Sequence, residues 1–481
     1  MNQTLSESLS IQTARIVRGF RLSITERKIV LCLGDVLVAI VASFASMGLW
    51  GFTREEPLFK NLELFGGYIP VVVLIWVVHF WVLDLYNLSL TARPKRFVPR
   101  IAGIALWLLG LYLCVFFFVP RHWLPRLPLL YFLSLSVIGN SLWRWGYMMT
   151  FAGERFRQRV LIVGAGSAGR TIAGILQREG RGDFQIMGFV DDDLSRQASV
   201  TDGMRVLGSI KELPAIARQQ QVNMVVYAIS HQLRADVFQS LLHCQAAGLS
   251  VIRMPALYEE LTERVPVQHV RNEWLLPVDI AGGKDSLFYR IFVKLIDYLF
   301  CLAGGAILLL LGPFIAVAIK LESRGPVIYR QVRLGQGGRR FDVIKFRSMM
   351  KDAEKAEGAQ WAVEGDPRVT RVGKWLRMLR LDELPQLVNI LKGDLHLVGP
   401  RPERPEFFSQ LEKEIPFYGA RLAVKPGLTG WAQVKYGYGG NVEETLVKLQ
   451  YDLYYIKNRS PFLDLKILLK TVWIILTLRG V

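Results

Sequence analysis

Four apolar stretches dominate the first third of the chain, near residues 29–50, 68–86, 101–120 and 128–150. Each is about long enough to cross a bilayer as a helix. Trp50, Tyr68, Tyr86 and Trp123 sit near their ends, as an aromatic belt would. Residues 1–28 are polar and carry Arg15, Arg18, Arg21, Arg27 and Lys28, with no small-residue cleavage site after them. They read as a cytoplasmic N-terminal segment, not a signal peptide. The Thr91–Arg100 loop and the exit at Arg144, Arg155 and Arg157 are also basic, whereas the Gly51–Gly66 loop carries Glu55, Glu56 and Glu63. That bias places both ends of a bundle over 29–150 in the cytoplasm, with Arg121 and Arg126 a mild exception. Asp35 falls inside the first stretch. It is a functional candidate or a residue reaching the interface.

The totals agree with a membrane protein of two or three domains. Of 481 residues, 51% are hydrophobic, and the net charge is +18. Such a charge suits anionic headgroups, phosphorylated substrates or nucleic acid. The four cysteines show no CxxC spacing and the six histidines no metal-ligand spacing, so neither a disulfide framework nor a zinc site is suggested.

From Arg159 the texture turns α/β. Arg159–Gly164 reads as a buried strand, and Gly164, Gly166 and Gly169 form GxGxxG ahead of a helix through Leu176. A second strand, Phe184–Val190, ends at Asp191, about where a ribose-binding acid is expected. Further strands are expected at Val222–Ile229 and Leu249–Met254. A Rossmann-like domain over 158–270 follows. Whether it binds a nucleotide or uses the glycines only for a tight turn stays open.

After a linker at 271–288 comes a second apolar element, 291–321. Its flanks are basic on both sides, and Gly312-Pro313 interrupts it. A helix broken there, entering and leaving on the cytoplasmic face, satisfies both facts; a fifth, kinked span is the alternative. Arg330, Arg333, Arg339, Arg340, Lys345 and Arg347 follow. Lys345 and Arg347 alternate along an apparent strand and would share one face, which suits phosphate. A helix-like stretch, Val372–Leu381, then carries Lys374, Arg377 and Arg380 toward Asp382-Glu383. That pair opens an amphipathic helix with Leu384, Leu387, Val388 and Leu391 on one face, closed by Gly393. Asp382 is either an N-cap or a nucleophile beside a metal-binding Glu383. Gly399-Pro400-Arg401-Pro402 sets one guanidinium on a stiff turn. The Tyr436–Gly440 loop could cover a nucleotide or only connect, and Leu463–Leu478 reads as an interfacial helix.

Six motifs, KFRSM (345–349), DPRVT (366–370), LDELPQL (381–387), LKGD (391–394), VGPRPERP (398–405) and KPGLTGWAQV (425–434), resemble the bacterial sugar transferase family, the monotopic polyprenyl-phosphate phosphoglycosyl transferases. The resemblance covers 289–481, with the broken helix at about 291–321. The bundle and Rossmann-like domain are similar to the large subclass that starts exopolysaccharide or capsule repeat units. The resemblance implies Asp382 as nucleophile, Glu383 as the partner that positions Mg²⁺, and Arg401 near the donor phosphates. Lys345, Arg347 and Arg377 are expected to bind substrate, and Gly164, Gly166, Gly169 and Asp191 are the nucleotide candidates. The implied substrates are a UDP-hexose and polyprenyl phosphate. A homo-oligomer without nucleic acid, in the bacterial inner membrane with its catalytic domain on the cytoplasmic face, is expected. The family breaks its hairpin at Ser-Pro, so Gly312-Pro313 departs from it.

Two other classes fit parts of the pattern. A Rossmann enzyme modifying nucleotide sugars would need a Tyr-x-x-x-Lys pair, and no tyrosine precedes Lys211 by four residues. A non-catalytic regulator of polysaccharide assembly would use Asp382 only as a cap, a role that asparagine fills well.

Overall fold

The computed structural model describes residues 24–55, 63, 66–87, 91, 94–116, 126–151, 157–180, 183–193, 203–229, 234–270, 286–350, 366–437 and 441–477. Arg15, Arg18, Arg21, Arg93, Arg121, Arg155, most of the expected linker and residues 438–440 lie outside them. The chain divides into two units, 1–257 and 258–481.

The first unit opens with four helices, α1 (Ile24–Arg54), α2 (Ile69–Val82), α3 (Pro94–Phe116) and α4 (Arg126–Phe151). They pack around Trp76, Phe80, Phe97, Ile101, Ile104 and Phe132. Of these four, among the described residues, α1 alone is long and apolar enough to cross a membrane by itself; Gly66–Val82 and Phe97–Leu113 are shorter apolar helices. Asp35 is fully buried and ion-paired with Arg144 at 2.6 Å, and Arg144 also donates to the Leu85 carbonyl oxygen at 2.7 Å. Arg144 therefore belongs to the bundle interior, not to a basic exit loop. A buried charge needs a partner and full hydrogen bonding, and this pair supplies both.

The rest of the first unit is a four-stranded parallel sheet of order β2-β1-β3-β4. It comprises β1 (Gln158–Val163), α5 (Ser167–Arg178), β2 (Phe184–Val190), α6 (Leu213–Gln219), β3 (Met224–Tyr227), α7 (Ala235–Ala246) and β4 (Ser250–Arg253). β1 is central, and its Val160, Leu161, Ile162 and Val163 are buried, as the unbroken apolar run requires of a strand covered on both faces. α8 (Met254–Thr262) leads into the second unit. The sequence assigns residues 258–270 to the Rossmann-like domain. Their contacts lie in the second unit instead: Tyr258 bonds Gln450, Glu259 pairs with Lys457, and Val265 and Val267 join its core.

After residues 258–270 the second unit continues in α9 (Leu287–Glu322), a single helix with Pro313 inside it. The expected break at Gly312-Pro313 does not divide this element. Proline removes one backbone donor, and here the helix continues past it. At 1.5 Å per residue α9 is roughly 54 Å long. Along its whole length one stripe, Tyr289, Asp297, Cys301, Gly304, Ile315 and Ile319, is buried within the unit. The opposite side stays exposed and apolar at Leu302, Leu309, Leu310, Phe314 and Leu321.

A hairpin follows, β5 (Ile328–Leu334) and β6 (Arg340–Phe346). Then come α10 (Arg371–Met378), a 3-10 turn (Leu381–Gln386), α11 (Leu387–Lys392), β7 (His396–Val398), α12 (Pro405–Glu414), β8 (Gly427–Thr429), α13 (Trp431–Lys435), α14 (Val442–Lys457) and α15 (Pro461–Leu476). β7 and β8 pair in parallel. Trp431, Tyr418, Leu449 and Ile467 centre the core. On α15, expected to lie at an interface, Lys466 is buried and turned onto the Trp431 ring.

Candidate active site

The acidic pair sits on the 3-10 turn, not on an α-helix. Pro385 lies inside this turn and denies it an α-type donor, so regular α-helix starts only at Leu387. Arg380 enters it at φ 58°, in the left-handed region, the kind of backbone strain that clusters at functional sites. Gly393 ends α11 at φ 80°, as expected of a C-cap glycine. The apolar face differs from the expected one. Leu387 and Ile390 are buried, while Val388 and Leu391 point outward.

Asp382 caps neither element: the turn's N-cap is Arg380, that of α11 is Gln386, and neither has a side-chain cap. Its carboxylate is nonetheless buried, at 7% exposure. Burial and the neighbouring Glu383 carboxylate push its pKa up, against Lys345, Arg377 and Arg380. Glu383 is treated oppositely. Burial raises it, but Lys345, Arg401 and Arg380 outweigh that and hold it well below the usual carboxylate range. Its Oε1 accepts from Lys345 Nζ at 2.9 Å and from Arg401 Nη2 at 3.1 Å, and its Oε2 faces Arg380 at 3.9 Å.

Each cation arrives on its own support. Lys345 is near the end of β6, whose hairpin closes through Gly337 and Gly338 at φ 65° and 78°, backbone that glycine adopts freely. Arg377 projects from α10 and donates to Ser348 Oγ at 2.9 Å. KFRSM and DPRVT meet there as an antiparallel bridge, Met349 opposite Val369. A Cβ on Gly373 would fall 2.0 Å from the Ser348 carbonyl oxygen, so only glycine allows that approach. Arg347 does not join Lys345 at Glu383. It lies one residue past β6, and its guanidinium donates to the carbonyl oxygens of Ser323 and Arg324, fastening the end of α9. Free carbonyls at a helix C-terminus attract a cation.

Arg401 stands on a turn held from behind. Arg421 donates to the Arg401 carbonyl oxygen at 3.0 Å, and Arg333 to that of Pro402 at 3.1 Å. Arg421 is buried and paired with Asp452 at 3.0 Å and Glu403 at 3.3 Å. The KPGLTGW segment supplies the other wall. A Cβ on Gly427 would lie 2.0 Å from the Gly399 nitrogen, and one on Gly430 2.2 Å from the Gly399 oxygen. Asp297 of α9 accepts from the Leu397 backbone N–H at 2.8 Å and faces His396 Nδ1 at 2.6 Å. The sequence reading missed Arg421, Asp452, Asp297 and Asn389, because only tertiary contact gives them a role.

The glycine loop of the Rossmann-like domain is held by close backbone approach. Gly164 sits at φ 104°, Gly166 caps α5, and a Cβ on Gly169 would meet the Gly164 oxygen at 1.9 Å. Asp191 accepts from the Ala165 and Asp193 backbone N–H groups at 2.7 and 2.9 Å. Its carboxylate thus serves the glycine loop itself.

The sequence profile of the bacterial sugar transferase family matches residues 288–478, and that of a CoA-binding domain matches 81–255. Over 444 residues the chain is 31% identical to a UDP-glucose:undecaprenyl-phosphate glucose-1-phosphate transferase of Klebsiella pneumoniae, a match covering 91% of this chain and 88% of that protein. The chain belongs to the bacterial sugar transferase family. It is also 45% identical, over 244 residues, to a UDP-N-acetylgalactosamine-undecaprenyl-phosphate N-acetylgalactosaminephosphotransferase of Aeromonas hydrophila, covering 49% of this chain and 55% of that one. A third relative is an undecaprenyl-phosphate glucose phosphotransferase of Komagataeibacter xylinus, 34% identical over 66% of this chain and 59% of that one. The chain thus spans little more than half the length of these last two. In this bacterial sugar transferase all six motifs fall in the second unit, and five of them line or brace the Asp382-Glu383 turn; LKGD closes the helix behind it.

Proposed function

We propose that the chain transfers a sugar 1-phosphate from a UDP-sugar to polyprenyl phosphate, with Asp382 as nucleophile. The observation that carries this is the contrast within the acidic pair: Glu383 is clamped by Lys345 and Arg401, while Asp382 is buried, not a cap, and pushed up in pKa. A carboxylate oxygen of Asp382 attacks the phosphorus that bears the sugar. The bond from that phosphorus to the oxygen of the departing nucleotide breaks, and UMP leaves. A phosphate oxygen of the polyprenyl acceptor then attacks the aspartyl phosphosugar and frees Asp382. Lys345, Arg377 and Arg401 neutralise the charge on the transferring phosphoryl group.

Mg²⁺ fits the donor set. Among the described residues no three acidic, histidine or cysteine side chains converge, but Mg²⁺ is commonly held by one or two carboxylates plus substrate phosphates. Among the described residues no side chain hydrogen-bonds the Asp382 carboxylate, and Glu383 Oε2 has the long contact to Arg380. Glu383 would hold the ion, which supplies positive charge at the diphosphate.

The membrane arrangement follows from the same reading. The four helices of the first unit span the inner membrane, and α9 lies within one leaflet with the catalytic unit on the cytoplasmic face. Supporting this, one stripe of α9 is buried in its own unit on both sides of Pro313, while the exposed positions from Leu295 to Val317 carry no charge and the exposed charges, Arg290, Lys294, Lys320 and Glu322, lie toward the two ends. A helix crossing the bilayer could not keep both ends against one cytoplasmic body. This seats Asp382 at the depth of a lipid phosphate.

The test is incubation with UDP-sugars and Mg²⁺ in the absence of acceptor, followed by intact-mass and peptide analysis. A sugar-phosphate adduct on the peptide bearing Asp382 is expected. UMP formed only when acceptor is present, with no adduct, would replace the two-step route with direct transfer. Because the relatives are named for different sugars, the glucose, galactose, N-acetylglucosamine and N-acetylgalactosamine donors should be compared.

A further inference from the structure

α11 buries the wrong residue for an amphipathic helix. Asn389 is 1% exposed, while Val388 and Leu391 on either side of it are 40% and 59% exposed. A polar side chain is buried in preference to apolar neighbours only when its hydrogen bonds repay the desolvation. Those of Asn389 go to β6. Its Nδ2 donates to the Asp342 carbonyl oxygen at 2.7 Å, and its Oδ1 accepts from the Ile344 N–H at 3.1 Å. The two backbone groups flank Val343. One residue of a parallel strand would satisfy them in the same way, by donating to one neighbour and accepting from the next but one. The side-chain amide thus stands in for a strand residue along β6, whose strand partner is β5. The main chain of Asn389 is anchored as well, its carbonyl oxygen accepting from Asp394 N–H at 3.0 Å.

The residue after Ile344 is Lys345, whose Nζ reaches Glu383 Oε1 at 2.9 Å. Glu383 in turn lies on the turn that runs directly into α11. Glu383, Lys345, β6, Asn389 and α11 therefore form a closed ring, with two side-chain bridges across it. Without Asn389, among the described residues, the Lys345–Glu383 contact and apolar packing would be left to set how far β6 stands from the acidic pair.

We propose that Asn389 is a positioning residue of the transfer reaction, fixing the height of Lys345 over the donor-phosphate site through the backbone of β6. The inference rests on the sugar-phosphate transferase reading and adds to it the element that sets the geometry of one cation. Misplacement of a catalytic group by about 1 Å can cost about a hundredfold in rate.

The experiment is a double-mutant cycle on the full chain in detergent or nanodiscs, with UMP release from the preferred UDP-sugar as readout. Wild type, Asn389→Ala, Lys345→Ala and the double variant are compared for kcat and KM, with melting temperature alongside. Asn389→Ala is expected to lower kcat about 10- to 100-fold. In the double variant the loss should exceed that of Lys345→Ala by no more than about threefold, because residues acting through one another are not additive. Losses that multiply, or an Asn389→Ala enzyme with wild-type kcat, would overturn the inference. If Asn389→Ala fails to fold, Asn389→Asp takes its place. It keeps the acceptor for Ile344 and loses the donor to Asp342, and the same non-additivity with Lys345→Ala is required of it. A wild type that consumes no UDP-sugar would instead overturn the transferase reading, and the inference with it.

Discussion

Lys345 Nζ and Glu383 Oε1 lie 2.9 Å apart, and the same oxygen receives Arg401 at 3.1 Å. One carboxylate thus gathers two cations from separate supports, a strand end and a proline-stiffened turn. Asp382, the residue before it, is left without such a contact. On the proposed reading Glu383 organises the site and Asp382 reacts.

Either cation should therefore matter to rate more than to stability. Lys345→Met and Arg401→Met are each expected to lower kcat about 100-fold, the usual cost of one electrostatic contact to a reacting group. Initial rates of UMP release check this, with circular dichroism to confirm the fold. Rates within a factor of about two of wild type would place both cations outside the phosphate site.

Chelation should silence the enzyme without unfolding it. Treatment with EDTA is expected to stop UMP release, and added Mg²⁺ to restore it. The melting temperature should barely move, since Lys345, Arg401 and Arg380 already neutralise Glu383. Glu383→Gln should need far more Mg²⁺ for half-maximal rate, and a Mg²⁺ titration measures it.

The buried Arg421 is a stability residue first. Arg421→Met leaves the Asp452 carboxylate buried without its partner, at a cost of about 3–5 kcal/mol. The double variant Arg421→Met/Asp452→Leu should recover part of that in thermal melts, yet remain slow, because the Arg401 carbonyl oxygen has lost its donor.

The wall behind Arg401 is set by close backbone contact. Gly427→Ala would place a methyl group 2.0 Å from the Gly399 nitrogen. Overpacking of a tight contact costs about 1–3 kcal/mol, and more where backbone must move. A lower melting temperature together with reduced UMP release is expected, and Gly305→Ala, where the added methyl meets nothing, is the control.

Much of the site was legible because its chemistry is crowded into short motifs. Asp382, Glu383, Lys345 and Arg401 stand out as charges beside turns, but the residues alone left Asp382 open between a cap and a nucleophile, and the family resemblance chose between them. What periodicity misread was the acidic helix: apolar spacing at Leu384, Leu387, Val388 and Leu391 does not separate a 3-10 turn from an α-helix, and Pro385 decides between them. Arg347 and Asp191 were read by the company they keep in sequence. Their hydrogen bonds go instead to the end of α9 and to the glycine loop. Asn389, Arg421 and Asp297 carry no local signal, since each acts on backbone far away in the chain.

The most direct measurement is UMP release by purified wild type beside Asp382→Asn, with Mg²⁺ and undecaprenyl phosphate, across the glucose, galactose and N-acetylhexosamine donors. Release by wild type from at least one donor, and its loss in Asp382→Asn at unchanged melting temperature, is the expected result. Asparagine preserves the shape and removes the nucleophilic oxygen's charge. Equal release by the two proteins would contradict Asp382 as the nucleophile.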